Sequence, residues 1–161
     1  MNMESFKQTL WEYIQVILIS VITSLCVLYF VQISRVVGIS MEPTYHDGNI
    51  VLVDKVFYKQ GEPERNDIVV VKYGSDQIIK RVVAIEGDKI ELIDNELYLN
   101  GNLLEEDYIN EKMDYNDFSY EIPKGKIFVM GDNRNHSVDS RLIGYIDFED
   151  GVVGKVFFKA F

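Results

Sequence analysis

Residues 77–85 read QIIKRVVAI, a run in which five β-branched side chains surround two cations. β-Branched residues favour extended backbone, so the run predicts a strand. Successive side chains of a strand point to opposite faces. Lys80 therefore shares its face with Ile78, Val82 and Ala84, and the neighbouring arginine points to the other face.

Short apolar runs of the same kind lie on both sides of this strand. Asp94-Asn95 and Asn100-Gly101 are turn signals near them, and no window after residue 33 has a long helical period. We interpret Tyr108–Tyr120 as a loop with at most one helical turn. The sequence predicts a mainly β domain. The further strands are expected at residues 50–57, 67–73, 89–93, 96–99, 126–130 and 151–158.

Lys80, on the predicted strand 77–85, is a side chain that could act as a catalytic base. A lysine acts as a base only when it is neutral, and its ordinary pKa is about 10.4. To act as a base near pH 8, the lysine needs a pKa roughly two units lower than this. Each unit costs about 1.4 kcal/mol. An apolar strand face favours this fall, because poor solvation disfavours the charged amine. The alternative is a solvent-facing lysine on an edge strand, which discourages strand pairing.

Ser40 lies forty positions before Lys80, in the segment GISMEPT at residues 38–44. A serine hydroxyl is a weak nucleophile until a base takes its proton, and a lysine can be that base without a histidine. Ser40 and Lys80 are thus a candidate nucleophile–base dyad of a protease. The alternative for a serine in this context is a turn residue.

A third polar segment, GDNRNHSVDSR at residues 131–141, follows an apolar, strand-like run. A loop that leaves the end of a core strand can be rigid enough to hold a hydroxyl against the lysine amine. An ion pair between Asp139 and Arg141 would brace such a loop. A solvated surface loop is the alternative.

Residues 13–33 carry no charge. A helix of this length reaches roughly 30 Å, enough to cross a bilayer. We predict a transmembrane helix at 13–33, a short tail at 1–12 and a folded domain at 34–161. The alternatives are a cleaved signal peptide, which has a shorter apolar core and a small-x-small exit, and a buried core helix.

Charge excludes one class of function. The net charge is −10, and the chain after residue 33 holds 15 basic and 24 acidic residues. Nucleic-acid binding requires a basic face, so we expect no nucleic-acid partner. An acidic domain is repelled by an anionic membrane, so contact with a lipid bilayer must come from the apolar segment. Cys26 is the one cysteine of the sequence, so the fold must be held by its core.

These segments together resemble the boxes of the bacterial type I signal peptidases. The resemblance covers residues 10–158, and the order and spacing of the boxes make it specific. The serine box matches residues 40–44, the lysine box matches residues 80–83 with Gly87-Asp88, and the third box matches residues 131–134, Ser137, residues 139–141 and Gly144.

The resemblance implies a role for each site residue. Ser40 would be the nucleophile, Lys80 the general base, and Ser137 would hydrogen-bond and orient the lysine amine. The supporting residues would be Asp132, Asp139 and Arg141, and the substrate would contact Ile39, Met41, Ile78 and Ile79.

The resemblance also implies the architecture and the setting. The catalytic domain would be a largely antiparallel β structure with a small insertion around residues 102–125 and one N-terminal transmembrane helix. It would lie on the extracytoplasmic side of the cell membrane, near the protein-export translocon, with the tail 1–12 in the cytoplasm. Its substrates would be secretory preproteins, cut after a small-x-small motif such as Ala-x-Ala. We expect neither a metal nor another cofactor.

We expect the substrate to bind in an extended conformation, adding a strand to the edges near residues 36–40 and 77–80. Gly38 departs from those members of the family that have a serine there as an oxyanion donor. The oxyanion hole would rest on backbone N–H groups, chiefly that of Ser40. Neither His46 nor His136 is expected to take part in catalysis.

Three other classes of protein share parts of this pattern. Self-cleaving repressor-type proteases use the same dyad, but they need a DNA-binding domain or a cleavable linker rather than a membrane helix. An inactive homologue acting in pilus assembly or as a chaperone would lack the serine or the lysine. Lipoprotein-processing peptidases use aspartates on several membrane helices, and a single span excludes them.

Overall fold

The computed structural model describes residues 3–160. Helix α1 covers Met3–Phe30, and its segment Phe6–Phe30 is long and apolar enough to cross a membrane. The side chains of its most apolar window are not buried against the rest of the protein, which excludes a buried core helix. The first two residues of the predicted tail and residue 161 lie outside the described residues.

The helix ends three residues before the predicted boundary at residue 33. Residues 31–33 belong to strand β1 (Val31–Arg35), which pairs antiparallel with β2 (Ile50–Asp54). The sequence predicts a helix for these residues because the segment 13–33 carries no charge. Pairing with a strand about twenty positions away decides their conformation instead.

Lys55 covers the end of α1. Its backbone N–H donates to the carbonyl of Phe30 at 2.9 Å, and its Nζ donates to the carbonyl of Leu28 at 3.0 Å. The last carbonyl groups of a helix have no partner within the helix, so these bonds stabilise its end. The helix therefore passes into the sheet without a linker.

Seven antiparallel strands form the first sheet. Besides β1 and β2 they are β3 (Ile68–Tyr73), β4 (Asp76–Ile85), β9 (Lys126–Met130), β10 (Ile146–Asp147) and β11 (Val152–Lys159). Their order is β1-β2-β11-β3-β4-β9-β10. The predicted mainly β, antiparallel fold is confirmed.

A second, four-stranded sheet lies within residues 89–121. Its strands are β5 (Lys89–Ile93), β6 (Glu96–Leu99), β7 (Asn102–Leu103) and β8 (Phe118–Glu121), in the order β7-β6-β5-β8. Strand β8 falls in the segment predicted as a loop. It pairs with β5, and the ring of Phe118 lies 6.1 Å from that of Phe128, so distant partners determine its conformation.

Short helical turns connect the strands. They are α2 (Phe57–Gln60), α3 (Ser140–Ile143), α4 (Phe148–Gly151) and a 3-10 turn at Arg134–His136. The predicted strand 50–57 ends early, at Asp54. The Asp54 carboxylate accepts bonds from the backbone N–H groups of Val56 and Phe57 at 2.8 and 2.9 Å, which turns the chain into α2.

A bulge in β4 changes which side chains share a face. The register of β4 against β9 shifts between Val82 and Ala84. Val82 packs with Val69 in one core cluster, whereas Ala84 packs with Ile90 in another. The predicted shared face of Lys80 and Ala84 is therefore wrong, because an extra residue in a strand reverses the alternation.

Candidate active site

The edge strand β1 and the segment Asp76–Ile79 of β4 lie near each other, bridged by the Gln32–Gln77 hydrogen bond, and no described backbone hydrogen bond joins them, which leaves a gap between β1 and β4. Ser40 and Lys80 meet at one end of this gap. Ser40 lies in the turn that follows β1, and Lys80 lies in the middle of β4. The Nζ of Lys80 is 2.7 Å from the Oγ of Ser40 and 3.0 Å from the carbonyl oxygen of Ile79. Lys80 is 2% exposed. A nucleophile and a base at this distance can exchange a proton.

Burial lowers the pKa of Lys80 to about 8. The charges of Asp139 and Asp132 oppose this shift, and that of Arg141 adds to it. Within residues 3–160, Lys80 forms no ion pair with a carboxylate. The amine is thus substantially neutral near pH 8, and a neutral amine can accept the serine proton.

The third polar segment holds the serine turn in place. The backbone N–H of Asn133 donates to the carbonyl of Ser40 at 3.0 Å, and its side-chain amide donates to the carbonyl of Ile39 at 3.2 Å. A side chain at Gly131 would collide with the carbonyl of Ser40 and with the hydroxyl of Ser137. Glycine is required there because the serine turn packs directly on this backbone.

Asp139 and Arg141 form the ion pair that the sequence predicts. The guanidinium of Arg141 donates to both carboxylate oxygens at 2.8 and 2.7 Å. The carboxylate also accepts from the N–H of Gly131 at 3.0 Å, and Arg141 donates to the carbonyl of Arg134 at 2.6 Å. The pair ties both ends of the third segment together.

Asp132 joins the strand, the serine turn and the third segment. Arg81 donates two bonds to its carboxylate, at 2.8 and 2.7 Å. The hydroxyl of Thr44 donates to the same carboxylate at 2.5 Å. Through Asp132, Arg81, the neighbour of the candidate base Lys80, is connected to Thr44 in the turn that carries Ser40.

Two residues of the predicted insertion cover this network. The ring of Tyr108 lies over the guanidinium of Arg81, 4.0 Å from the ring centroid. The hydroxyl of Tyr108 donates to Glu106 at 2.6 Å, and Glu106 accepts two bonds of 2.5 Å from the buried Arg134. We did not predict Glu106 or Tyr108 as site residues, because they lie in a segment without periodicity.

Comparison with known proteins assigns the chain and its fold to a family. A family model described as signal peptidase, peptidase S26, matches residues 10–161. The chain belongs to the signal peptidase family, peptidase S26. It is therefore a serine peptidase of the family that removes signal peptides.

Individual relatives of the signal peptidase family agree. Signal peptidase IB of Staphylococcus aureus (strain COL) is 42% identical over 141 residues, covering 76% of this chain and 73% of the relative. Signal peptidase I of Bacillus licheniformis is 36% identical over 155 residues, covering 88% and 83%. The crystal structure of a signal peptidase I from Enterococcus faecalis V583 matches with a TM-score of 0.54 at 31% identity, covering 60% of this chain and 98% of that chain.

The signal peptidase resemblance predicts a bond from Ser137 that this structure lacks. The Ser137 hydroxyl is buried and has no hydrogen-bond partner among the described residues. The lysine amine is bonded to Ser40 and to its own strand instead. The predicted Ser137–Lys80 bond is therefore corrected for this structure, because other oxygens satisfy the amine.

The residues expected to contact a signal peptide differ in exposure. Ile39 is exposed beside Ser40, and Ile78 and Ile79 are half-buried on opposite sides of β4. Met41 is 1% exposed and packs in the core with Val36 and Val51, so it anchors the serine turn. A direct role of these residues in substrate binding stays a prediction.

Gly38 and the histidines complete the predicted set for a signal peptidase. Gly38 has a φ of +87°, a conformation that favours glycine, and its N–H donates to Asp47 at 2.8 Å. A serine at this position would strain the backbone. His46 is exposed on a loop, and His136 is exposed at the end of the 3-10 turn.

Proposed function

We propose that this chain is a membrane-anchored endopeptidase in which Ser40 is the nucleophile and Lys80 the general base. The observation that carries the proposal is the 2.7 Å contact between the two side chains, one of which is a buried amine with a lowered pKa. No histidine approaches either group among the described hydrogen bonds. A lysine base is thus the chemistry that the geometry supports best.

The reaction begins when neutral Lys80 takes the proton of the Ser40 hydroxyl. The oxygen forms a bond to the carbonyl carbon of the substrate, and the backbone N–H of Ser40 stabilises the negative charge that develops. The carbon–nitrogen bond then breaks, and the ammonium of Lys80 returns the proton to the leaving nitrogen. Water attacks the resulting ester, Lys80 takes a proton from it, and the serine oxygen leaves with that proton.

We propose that the substrate occupies the gap between β1 and β4 as an added strand. Strand β1 is at the edge of the first sheet, and the segment Asp76–Ile79 of β4 pairs only with β3. These edges carry backbone groups that can bind an extended peptide. Alternate side chains of the peptide would enter apolar pockets beside Ile39, Ile78 and Ile79, and narrow pockets favour the small residues of Ala-x-Ala.

An anchor formed by helix α1 suits the cleavage of substrates that are held in the same membrane. Helix α1 would cross the bilayer, with the catalytic domain on the extracytoplasmic side, and the substrate would be held by its own apolar segment in the same membrane. Sharing two dimensions raises the effective concentration of the cleavage site. The partners are secretory preproteins and the lipid bilayer, and proximity to the export translocon would supply the preproteins.

The test is cleavage of a purified preprotein by the full-length chain in detergent, with the new amino terminus read by mass spectrometry. Ser40→Ala is the test variant, and Ser75→Ala, an exposed turn serine, is the matched control. We expect a cut after Ala-x-Ala by the wild type and the control, and none by Ser40→Ala. Cleavage by Ser40→Ala would remove Ser40 as the nucleophile, and no cleavage by a folded wild type would favour an inactive homologue.

A further inference from the structure

The gap between β1 and β4 is bridged by side chains at both ends. At one end Lys80 contacts Ser40 at 2.7 Å, and at the other the amide of Gln32 donates to that of Gln77 at 3.0 Å. Within the described chain, no backbone hydrogen bond joins residues 31–40 to residues 76–80. The two bridges therefore mark the ends of one slot.

The length of the slot follows from strand geometry. Gln77 precedes Lys80 by three residues, and a strand rises about 3.3 Å per residue, so the bridges are roughly 10 Å apart along β4. An extended substrate bound along this edge has room for three or four residues before it reaches Gln77. Beyond that point its chain leaves the slot toward the end of α1.

The glutamine bridge lies next to the end of α1. The helix ends at Phe30, and Gln32 is the second residue of β1. A substrate helix that spans the same bilayer as α1 ends at the same depth. Its last four carbonyl groups have no partner within the helix, and carbonyl groups without a partner are costly away from water.

We propose that Gln77 is a specificity-determining residue that donates hydrogen bonds to the carbonyl groups at the end of the substrate's apolar helix, and that Gln32 positions it by donating to its amide oxygen. A glutamine amide has two N–H donors. The amide nitrogen of Gln32 already donates to Ser34 at 2.9 Å and to Gln77, whereas that of Gln77 has no acceptor among residues 3–160. The Gln77 amide therefore presents two donors and no positive charge, which suits neutral carbonyl oxygens.

This inference rests on the proposed function and adds a determinant of where the substrate's apolar helix must end relative to the cleavage site. The dyad sets where the peptide is cut, and the glutamine pair sets where the substrate helix must end. The number of extended residues between the apolar helix and the scissile bond is therefore fixed by the enzyme, at about three or four by strand geometry.

The experiment uses the full-length chain in vesicles of phosphatidylglycerol and phosphatidylethanolamine. The substrates are a preprotein series in which this spacer grows one residue at a time, and a short peptide with the same cleavage site and no apolar helix. The variants are Gln32→Leu with Gln77→Leu, and Gln77→Glu, which keeps the acceptor for Gln32 but has no donor. Asn102→Leu, an exposed amide on β7, is the control.

The wild type and Asn102→Leu should cut one spacer length best. In both glutamine variants the ratio of kcat/KM between the best preprotein and the short peptide should fall about tenfold, the effect of one or two lost hydrogen bonds, and the length preference should flatten. An unchanged ratio and preference would overturn the inference. An equal fall for both substrates would also overturn it, because the pair would then act through the dyad. Failure of the wild type on both substrates would instead reject the proposed function.

Discussion

Lys80 and Arg81 are neighbours on one strand, and their pKa values move in opposite directions. Both are buried, at 2% and 8% exposure. Burial lowers the pKa of Lys80 to about 8. Burial also disfavours the charge of Arg81, but the hydrogen bonds and the charge of Asp132 outweigh it and raise the pKa of Arg81.

The difference lies in the partners on the two faces of the strand. Arg81 meets a carboxylate in bidentate geometry and an aromatic ring above its plane. Lys80 meets a hydroxyl and a backbone carbonyl, neither of which carries a charge. A buried cation that meets a carboxylate forms an ion pair that holds segments of the fold together. A buried amine without a carboxylate partner is a candidate base.

The largest effect is expected from Lys80→Met, which removes the candidate base. Cleavage of a preprotein should fall by about 10⁴-fold or more. The folded-state pKa of Lys80 lies below its ordinary value of 10.5, so the unfolded chain binds more protons between pH 8 and 10.5. Wild-type stability therefore rises with pH through that window, and the cost is fully present below pH 8.

Lys80→Met removes this cost, so its free energy of unfolding at pH 7 should exceed that of the wild type by about 3 kcal/mol. The gain should shrink as the pH approaches 10.5. Denaturant unfolding at pH 7 and pH 10 measures it, with the exposed Lys124→Met as the control. A Lys80→Met variant less stable than the wild type at pH 7 would contradict the account of Lys80 as an unpaired buried amine.

Arg81→Met should have the opposite effect on stability. It leaves the carboxylate of Asp132 buried without its partner, which costs about 3–5 kcal/mol. The double variant Arg81→Met with Asp132→Asn should lose less than the sum of the two single losses, since the unpaired charge is gone. Urea unfolding of the four proteins gives this coupling, and additive losses would show that the pair does not hold segments of the fold together.

The dependence of wild-type activity on pH tests the lowered pKa of Lys80 directly. The value of kcat/KM should rise about tenfold per pH unit below the pKa and level off above about 8, because only the neutral amine accepts the serine proton. Asp139 raises the pKa of Lys80 through its charge, so Asp139→Asn should move the midpoint to lower pH. A wild-type midpoint near 10 would mean that Lys80 is not desolvated in solution.

The smallest effect is expected at Tyr108, which lies over Arg81. Tyr108→Leu removes the aromatic face from the guanidinium and should destabilise the fold by about 1 kcal/mol. Tyr108→Phe keeps the ring and loses only the hydroxyl bond to Glu106, so it should lose less. Thermal unfolding of the two variants compares them, and equal losses would assign the effect to the hydroxyl rather than to the ring.

Much of the fold follows from local pattern. The β-branched runs around residues 68–73 and 77–85 became strands where the pattern predicted them, and the uncharged segment became a helix. The errors share a cause. Residues 31–33 and Phe118–Glu121 are strands because they pair with distant segments, and the bulge between Val82 and Ala84 depends on the pairing of β4 with β9.

The candidate site could be predicted where chemistry restricts the residue type. Ser40 and Lys80 can be recognised as a candidate nucleophile and a candidate base because few side chains can do that work. Glu106 and Tyr108 could not, because a carboxylate and a ring on a surface loop carry no signal until their partners are known. The absence of a bond between Ser137 and Lys80 could not be predicted either, because it depends on which oxygens the fold places beside the amine.

The sequence by itself determined the apolar helix, the strand pattern and the residues able to act as nucleophile and base, because these properties belong to neighbouring residues or to single side chains. The tertiary structure alone decided which cation lacks an ion pair within residues 3–160, and is therefore a candidate base, and which forms one. Lys80 and Arg81 are adjacent in the chain, but of the two only Arg81 hydrogen-bonds to Asp132, 51 positions beyond it, among the described residues. A pKa depends on charges and solvent in space, and folding sets both.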